Sequence, residues 1–261
     1  MHHSNILITG AFSGIGKAFV RAYLEHHGNN IVAIDKDFPL SLPSNEINVD
    51  DQKAIDAYRK DVGDDRAKSR LTIMSMDITD EAQLTQLCSL KDLKVVIHSA
   101  GVRGLVPSVP ISQSTDVAKA ETMDVMTSQI MAQTFHVNTI GTFLLLRTLT
   151  PVLQSTAGKV IVMGSRMGSI GHNRAGGGYA YRSSKAAVNA VTKGFSVDVP
   201  KVTFVTLHPG RVESGLVGGG VKEDGAIEAR ESVKGMLPLI SQLGHKDSGR
   251  FMDRFGEDIV W

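Results

Sequence analysis

Short apolar runs rich in β-branched residues alternate with stretches of helical periodicity along most of this chain. Such alternation is typical of successive β-α-β units, in which helices connect neighbouring parallel strands. Residues 159–163, Lys-Val-Ile-Val-Met, are apolar on both faces, which indicates that helices cover both sides of the sheet. We therefore expect a doubly wound α/β fold with a mostly parallel, seven-stranded sheet. The predicted strands are residues 5–9, 30–35, 71–76, 94–98, 159–163, 202–207 and 250–252.

The helical stretches predict five main helices and a single domain. A chain of 261 residues lies within the range of one large α/β domain, and no repeat or Pro/Ser-rich linker divides it, so we expect one domain over residues 1–261. The long segment 36–70 holds a further candidate helix at 50–60, to which the sequence assigns no function. The five predicted helices are residues 15–27, 80–90, 127–153, 181–197 and 229–243.

The charge balance and the cysteine content exclude several classes of function. With 28 basic and 27 acidic residues, the chain has no overall field that would draw it to nucleic acid or to an anionic membrane. Its single cysteine, Cys88, cannot form an internal disulfide. No secretory signal precedes the first strand and no apolar run is long enough to span a bilayer, so we expect a cytoplasmic protein. The pairs His2-His3 and His26-His27 lack metal-site spacing, and we predict no metal.

A glycine-rich turn follows the first predicted strand and leads into a helix. Its sequence is Thr9-Gly10-Ala-Phe-Ser13-Gly14-Ile15-Gly16. Glycines let the backbone turn tightly and approach a pyrophosphate, which then meets the unpaired N–H groups of the helix N-terminus. A glycine-rich loop is a weak signal by itself, but its position between a strand and a helix strengthens it. We expect this turn to hold a dinucleotide.

Asp35 ends the second predicted strand, at the position from which a carboxylate reaches the adenosine ribose. A carboxylate accepts hydrogen bonds from two ribose hydroxyls but repels a 2′-phosphate, so NAD is favoured over NADP as the cofactor. The alternative is that Asp35 merely begins a solvated loop.

The run Tyr181-Arg-Ser-Ser-Lys185 places a phenol and an ammonium on one face of a helix, about 5–6 Å apart at Cβ. A phenol with a pKa of about 10 must become more acidic to exchange protons near neutrality, and a neighbouring Lys⁺ acts in that direction. Such a pair also occurs by chance on exposed amphipathic helices. The glycine turn and Asp35 favour the functional interpretation.

Taken together, these motifs make the chain resemble the short-chain dehydrogenase/reductase family over nearly its whole length. Residues 164–170 and 176–185, with the ending at 248–261, look most like the C-factor-like branch of that family. The resemblance implies one Rossmann-type domain and an oxidoreductase that transfers a hydride between a nicotinamide cofactor and a carbonyl or secondary alcohol. It rests on Thr9-Gly-xxx-Gly-Ile-Gly16, Val137-Asn138, Ser165, Tyr181-xxx-Lys185 and His208-Pro209-Gly210.

The resemblance also implies the roles of the reacting groups. Tyr181 is expected to be the acid/base, and Lys185 to lower the pKa of the phenol and hold the nicotinamide ribose. Ser165 would hydrogen-bond the substrate oxygen, and Asn138 would hold a water in a proton relay with Lys185. Ser169 also follows the fifth strand, but Ser165 is preferred because it comes directly after that strand.

Further cofactor contacts follow from the same resemblance. Asp77 and Ile78 are expected at the adenine, Ala100 and Gly101 between the two halves of the cofactor, and Pro209, Gly210 and Val212 at the nicotinamide. The chain departs from the usual family pattern in three places: it has His98-Ser99 for Asn-Asn, Gly164 for a serine, and Ser214 for a threonine.

The substrate is expected to contact three loops, at 102–112, 166–178 and 214–230, of which the last is glycine-rich and suited to act as a lid. One or two of Arg103, Arg166, Arg174 and Arg211 are candidates for an anionic substrate group, although solvated surface arginines are the simpler interpretation. Family members commonly form homodimers or homotetramers through the helices that hold Asn138 and Tyr181, and the apolar runs 143–146 and 186–188 would suit either an interface or the core.

Three other functions compete with this interpretation. A signalling or regulatory protein would bind NAD(H) without essential turnover, because a fold does not dictate a function. A serine hydrolase using Ser165 lacks a Gly-x-Ser-x-Gly elbow and leaves Asp35 and Lys185 unexplained. A nucleotide-sugar epimerase shares the tyrosine and lysine but resembles a different glycine spacing and usually a longer chain.

Overall fold

The structure is a computed structural model that describes residues 4–25, 28–36, 38, 49–64, 70–104, 108, 120–213 and 225–261. Seven parallel strands form its main sheet, and two short strands form a second one. The strands are β1 (Ser4–Thr9), β2 (Asn29–Asp35), β3 (Leu71–Ser75), β4 (Leu93–His98), β5 (Lys159–Met163), β6 (Thr203–His208), β7 (Val212–Glu213), β8 (Ile227–Glu228) and β9 (Phe251–Asp253). Their order in the main sheet is β3-β2-β1-β4-β5-β6-β9, and β7 pairs with β8.

Helices cover both faces of the main sheet. The described helices are α1 (Gly14–Glu25), α2 (Val49–Val62), α3 (Glu81–Leu84), α4 (Ser128–Phe135), α5 (Thr142–Thr156), α6 (Tyr179–Asp198) and α7 (Ala229–Gln242). A π-helical segment, His136–Gly141, joins α4 to α5. Short 3₁₀ turns lie at Thr85–Ser89, Arg166–Gly168 and His245–Asp247.

Strand side chains alternate between two apolar cores, one on each face of the sheet. In β5, Ile161 and Met163 pack in the core that includes residues of α1 and α7. Val160 and Val162 pack in the opposite core, which includes residues of α5 and α6. Because both faces of this strand are buried, its continuous apolar run follows from its position in the centre of the sheet.

The strand order places a crevice beyond the carboxyl ends of β1 and β4. The chain builds the sheet outward from β1 to β2 and β3, and then returns to place β4 on the other side of β1. Helices that follow these two strands therefore diverge to opposite faces, and the gap between them is where ligands bind in open parallel sheets.

The fold prediction is confirmed, and each predicted strand differs from the observed one by at most one residue at either end. The predicted helix at 50–60 is α2, and α6 begins two residues before Tyr181. The helix expected over 127–153 is wrong in one respect, since the π-helical segment interrupts it. The last two residues of the helix predicted at 15–27, and most of the loops at 102–112 and 214–230, lie outside the described residues.

Candidate active site

A cleft of about 460 Å³ lies at the carboxyl edge of the sheet, between the β1–α1 turn and the start of α6. Two of the predicted site residues, Gly16 and Asn138, do not line this cleft. The predicted residues that do line it are Gly10, Ser13, Gly14, Ile15, Asp35, Asp77, Ile78, Ala100, Gly101, Ser165, Tyr181, Lys185, Pro209, Gly210 and Val212.

The glycine turn forms one end of the cleft, and its backbone conformation excludes larger residues. Gly10 and Gly14 have φ values of 65° and 51°, in the left-handed region that favours glycine. A Cβ on Gly16 would lie 2.0 Å from the Gly10 carbonyl oxygen, and one on Gly10 would lie 2.8 Å from the Ala100 nitrogen. Gly16 therefore contributes through close packing of α1 against the turn rather than by facing the cleft.

Asp35 lies beside this turn at the end of β2. Its carboxylate accepts a 2.9 Å hydrogen bond from the backbone nitrogen of Phe12, which links the second strand to the glycine turn. Just beyond the adjacent strand β3, the Asp77 carboxylate accepts hydrogen bonds from the backbone nitrogen and the hydroxyl of Thr79, at 2.8 and 2.7 Å. Both carboxylates line the cleft, and these hydrogen bonds fix their positions.

Tyr181 and Lys185 lie together at the other end of the cleft. Each side chain is 7% exposed, and the Lys185 Nζ lies 5.8 Å from the centroid of the Tyr181 ring. The Lys185 Nζ also donates a 3.0 Å hydrogen bond to the Met163 carbonyl at the end of β5. Burial lowers the pKa of Lys185 from 10.5 to about 8, because the buried site disfavours the ammonium form.

The pKa of Tyr181 is raised, because burial disfavours the phenolate and outweighs the other contributions. A hydrogen bond with Ser165 and the charge of Arg103 lower this pKa, and the charge of Glu121 raises it. Lys185 is not among the groups that lower it, contrary to the expectation from the sequence. In this arrangement Tyr181 is a protonated phenol at neutral pH and can donate a proton.

The two candidate serines have different surroundings. The Ser165 hydroxyl lies in the cleft lining, where it lowers the pKa of Tyr181, and it accepts a 3.2 Å hydrogen bond from the Met167 nitrogen. The Ser169 side chain instead donates to the Val260 carbonyl and accepts a 3.0 Å hydrogen bond from the His172 nitrogen. Ser169 therefore ties its loop to the chain end, whereas Ser165 faces the reacting groups.

Asn138 lies behind the cleft in the π-helical segment and connects three parts of the site. Its amide oxygen accepts from the Val102 nitrogen at 2.7 Å, and its amide nitrogen donates to the Val102 carbonyl at 2.8 Å and to the Ser184 hydroxyl at 3.0 Å. A Cβ on Gly101 would lie 3.1 Å from the Asn138 Oδ1 and 3.5 Å from the Lys185 Nζ. Asn138 and Lys185 thus approach Gly101 from the same side.

His98 has a structural role that the sequence did not reveal. Its Nδ1 lies 2.7 Å from the Thr9 hydroxyl and its Nε2 lies 2.8 Å from the Thr142 hydroxyl, which itself donates to the Asn138 carbonyl. Burial lowers the pKa of His98 to about 3, so the ring is neutral. Because Thr142 uses its only proton on Asn138, His98 must donate from Nε2 and accept from Thr9 at Nδ1. The one sequence signal for this role was that His98 stands where the family usually has an asparagine.

The four candidate arginines do not share one environment. Arg103 lines the cleft but is 7% exposed in its side chain and forms a 2.6 Å ion pair with the fully buried Glu121. Arg174 is exposed and donates to the carbonyls of its own loop. Arg166 and Arg211 line the cleft. Arg166 also lies 3.7 Å from the Asp253 carboxylate. Nothing in the local sequence pointed to Glu121.

The profile of the short chain dehydrogenases matches residues 4–224, most of the chain. The chain belongs to the short-chain dehydrogenase/reductase family. It is 37% identical to the C-signal protein of Myxococcus xanthus over 180 residues, which are 68% of this chain and 97% of that protein. It is also 32% identical to the 1-hydroxy-2-glutathionyl-2-methyl-3-butene dehydrogenase of Rhodococcus sp. (strain AD45) over 207 residues, which are 76% of this chain and 84% of the relative. The family prediction is confirmed, and the C-signal match agrees with the resemblance to the C-factor-like branch.

Solved structures show the same architecture over the full chain. An NADPH-bound carbonyl reductase from chicken fatty liver has a TM-score of 0.76 at 26% identity, and the carbonyl reductase Sniffer of D. melanogaster has 0.77 at 26% identity. In both comparisons 100% of each chain is covered. The chain is therefore an NAD(P)-dependent oxidoreductase of this family, for which a nicotinamide dinucleotide is the typical cofactor.

The residues present fit such a cofactor. The turn at Gly10 and Gly16 has no room for side chains, so a pyrophosphate can approach the backbone closely at the N-terminus of α1, where the first N–H groups of a helix have no partner within the helix. The cleft extends from this turn to Lys185, past the carboxylates of Asp35 and Asp77. Two absences accompany this fit: no described helix is long and apolar enough to cross a bilayer, and the described ranges contain no group of three or more His, Cys, Asp or Glu side chains placed to hold a metal ion.

Proposed function

We propose that this chain reduces a ketone or aldehyde to an alcohol, or runs the reverse oxidation, with Tyr181 as the acid/base. The observation that carries the proposal is the meeting of Tyr181, Lys185 and Ser165 in one cleft that continues to the glycine turn. Fold alone would not support a function, but a buried phenol, an ammonium and a hydroxyl at the end of a dinucleotide cleft support this chemistry.

The nicotinamide cofactor supplies or accepts the hydride when bound. The protonated phenol of Tyr181 donates its proton to the carbonyl oxygen as negative charge develops there, and takes the proton back in the oxidation direction. Ser165, which lines the same cleft as Tyr181, would donate a hydrogen bond to the same oxygen. Lys185, with a pKa of about 8, is largely an ammonium at neutral pH and would hold the nicotinamide ribose. Asn138 would contribute by holding Val102 and Ser184 in place, and by ordering a water near Lys185.

The direct experiment is a substrate screen with the purified chain. Matched neutral and acidic ketones and secondary alcohols are incubated with reduced or oxidised cofactor, and absorbance of the reduced nicotinamide is followed. Turnover of at least one ketone supports the proposal, and cofactor binding without any turnover would contradict it. A preference for the acidic ketone would assign Arg166 or Arg211 to an anionic substrate group, and equal rates would remove that hypothesis.

NAD is the proposed cofactor in preference to NADP. The Asp35 carboxylate lines the cleft at the end of β2, where it favours ribose hydroxyls and repels a 2′-phosphate. The chicken enzyme is bound to NADPH, so fold similarity does not decide this preference. Replacing Asp35 with Ser should weaken NADH binding about tenfold and strengthen NADPH binding, as measured by fluorescence titration. Tighter binding of NADPH than NADH by the unchanged chain would contradict the assignment.

A binding protein that uses NAD(H) for signalling is the second candidate. It is favoured by one observation, the 37% identity to a protein named C-signal. The arrangement of Tyr181, Lys185 and Ser165 argues for chemistry instead, because a binding protein needs no buried proton donor at the end of the cleft. Comparing turnover and signalling in Tyr181→Phe distinguishes the enzyme from the binding protein.

We further propose a cytoplasmic homodimer or homotetramer that assembles through α4, α5 and α6. Of the run 143–146, only Phe143 is exposed, at 41%, while residues 144–146 are buried in the core. Phe135 and Ile140 are also exposed, at 37% and 42%, on the same segment of helix. Sedimentation should give a mass two or four times that of the chain, and a monomer would contradict this proposal.

A further inference from the structure

Helix α2 lies in the segment between β2 and β3 to which the sequence assigned no function. Its Tyr58 side chain is 5% exposed, and its hydroxyl donates a 2.7 Å hydrogen bond to the Ala11 carbonyl. Ala11 is fully buried in the glycine turn, directly after Gly10. A residue 47 positions away therefore contacts the backbone of the turn that we expect to meet the pyrophosphate.

The ring of Tyr58 adds a second contact with the same turn. It stacks on Phe12 with the ring centroids 6.0 Å apart, and it meets Phe38 edge-on at 5.0 Å. Phe38 in turn meets Phe12 at 5.2 Å, so the three rings form one aromatic cluster. The Phe12 nitrogen donates to Asp35. The cluster thus supports the residue that connects the turn to the carboxylate expected at the ribose.

Helix α2 is itself held against α1 by charged contacts. The Asp61 carboxylate lies 2.9 Å from the Lys17 Nζ and 2.5 Å from an Arg21 guanidinium nitrogen. The Arg21 Nε also donates to the Asp61 carbonyl at 3.1 Å. Because Lys17 and Arg21 lie on the first turns of α1, these contacts fix the end of α2 that carries Tyr58 relative to the helix that begins at the turn.

We propose that Tyr58 is a positioning residue of the cofactor site, which holds the Ala11 carbonyl and the Phe12 ring so that the glycine turn is already shaped for the adenosine diphosphate half of the dinucleotide. The inference rests on the proposed dinucleotide site. A binding surface that is fixed in advance avoids the cost of ordering it when the ligand binds, so loss of the contact should appear as weaker affinity.

The contact should also be insensitive to pH around neutrality. Burial raises the pKa of Tyr58, and the charges of Asp35 and Asp61 raise it further. The hydroxyl therefore stays protonated and remains a donor to Ala11. Weakening of cofactor binding at alkaline pH would have to come from another group.

The test compares Tyr58→Phe with Tyr23→Phe and the unchanged chain. Tyr23 lies in the last turn of α1 and stacks on Phe19, so its variant loses a hydroxyl from the same face of the fold but away from the turn. Affinities for NADH and for ADP-ribose are measured by titration at a temperature at which all three proteins are folded. Melting temperatures are recorded alongside.

Tyr58→Phe should lower the affinities for NADH and for ADP-ribose by the same factor, about five- to tenfold. The affinities of Tyr23→Phe should stay within about twofold of those of the unchanged chain. Unchanged affinity of Tyr58→Phe for both ligands, or a loss confined to NADH, would overturn the proposal. A lower melting temperature with unchanged affinity would show that Tyr58 only stabilises the fold. If the unchanged chain binds neither ligand, the dinucleotide site itself is wrong, which is a separate result.

A second variant covers the case in which Tyr58→Phe does not fold. Asp61→Asn leaves the tyrosine intact but removes the charge that holds α2 against Lys17 and Arg21. It should weaken ADP-ribose binding about two- to threefold, and this effect should diminish at high salt because Asp61 is partly exposed. Identical affinities of Asp61→Asn and the unchanged chain at low salt would contradict a role for α2.

Discussion

Replacing Tyr181 with Phe should lower the turnover of a carbonyl substrate by about 10²- to 10⁴-fold, because the variant has no group to protonate the substrate oxygen. The ring remains, so the packing of this 7%-exposed side chain is retained. Affinity for NADH should change by no more than about twofold. The measurement is kcat for the best ketone from the screen, with cofactor affinity determined on the same preparations.

Tyr179 offers a matched control for this substitution. It lies two residues earlier at the start of α6 and is 43% exposed, so Tyr179→Phe removes a hydroxyl from the same helix without touching the cleft lining. Its turnover should match that of the unchanged chain. If Tyr181→Phe retains full turnover, another group is the acid. If a host carrying Tyr181→Phe shows the same signalling as a host carrying the unchanged chain, the binding-protein interpretation is correct.

Site residues that belong to local sequence motifs could be predicted. The glycine turn, the Tyr181–Lys185 spacing and Asp35 are each defined within one or two consecutive elements, and period-two or period-3.6 patterns identify those elements. Their meeting in one cleft follows from the carboxyl edge of a parallel sheet, where the ends of all strands converge. These residues accordingly line the cleft together.

Residues that act through distant contacts were not predictable. His98 connects Thr9 to Thr142, and Glu121 pairs with Arg103, but neither partner is close in sequence. The donor to Ala11 is equally remote, because Tyr58 lies 47 residues away along the chain. The π-helical segment holding Asn138 was missed because it is only six residues long. A single wider turn inside a helix shifts the spacing of its apolar residues too little to be recognised in the sequence.

The same distinction explains the error about the acidity of Tyr181. A spacing of four residues correctly placed Lys185 one turn away, but its Nζ is committed to the Met163 carbonyl of β5. The strength of a charge effect also depends on burial, which the sequence does not specify and which here raises the pKa of the phenol. Ser165 and Arg103, from two other elements, supply the contributions that lower it.

Lys185→Met should lower turnover by about 10²-fold or more and yet raise the free energy of unfolding at pH 7 by about 2 kcal/mol. Burial lowers the pKa of Lys185 from 10.5 to about 8, so the ammonium is costly at neutral pH, and each pKa unit corresponds to about 1.4 kcal/mol. Loss of the hydrogen bond to Met163 offsets about 1 kcal/mol of the gain. Between about pH 8 and 10.5 the folded chain binds fewer protons at this site than the unfolded chain, so its stability rises with pH and approaches that of the variant.

Denaturant unfolding of the unchanged chain and of Lys185→Met at pH 7 and pH 10 measures this difference in stability. Lys193→Met, an exposed position on the same helix, serves as the control. A variant that is less stable than the unchanged chain at pH 7, or a difference that widens at pH 10, would show that the ammonium stabilises the fold.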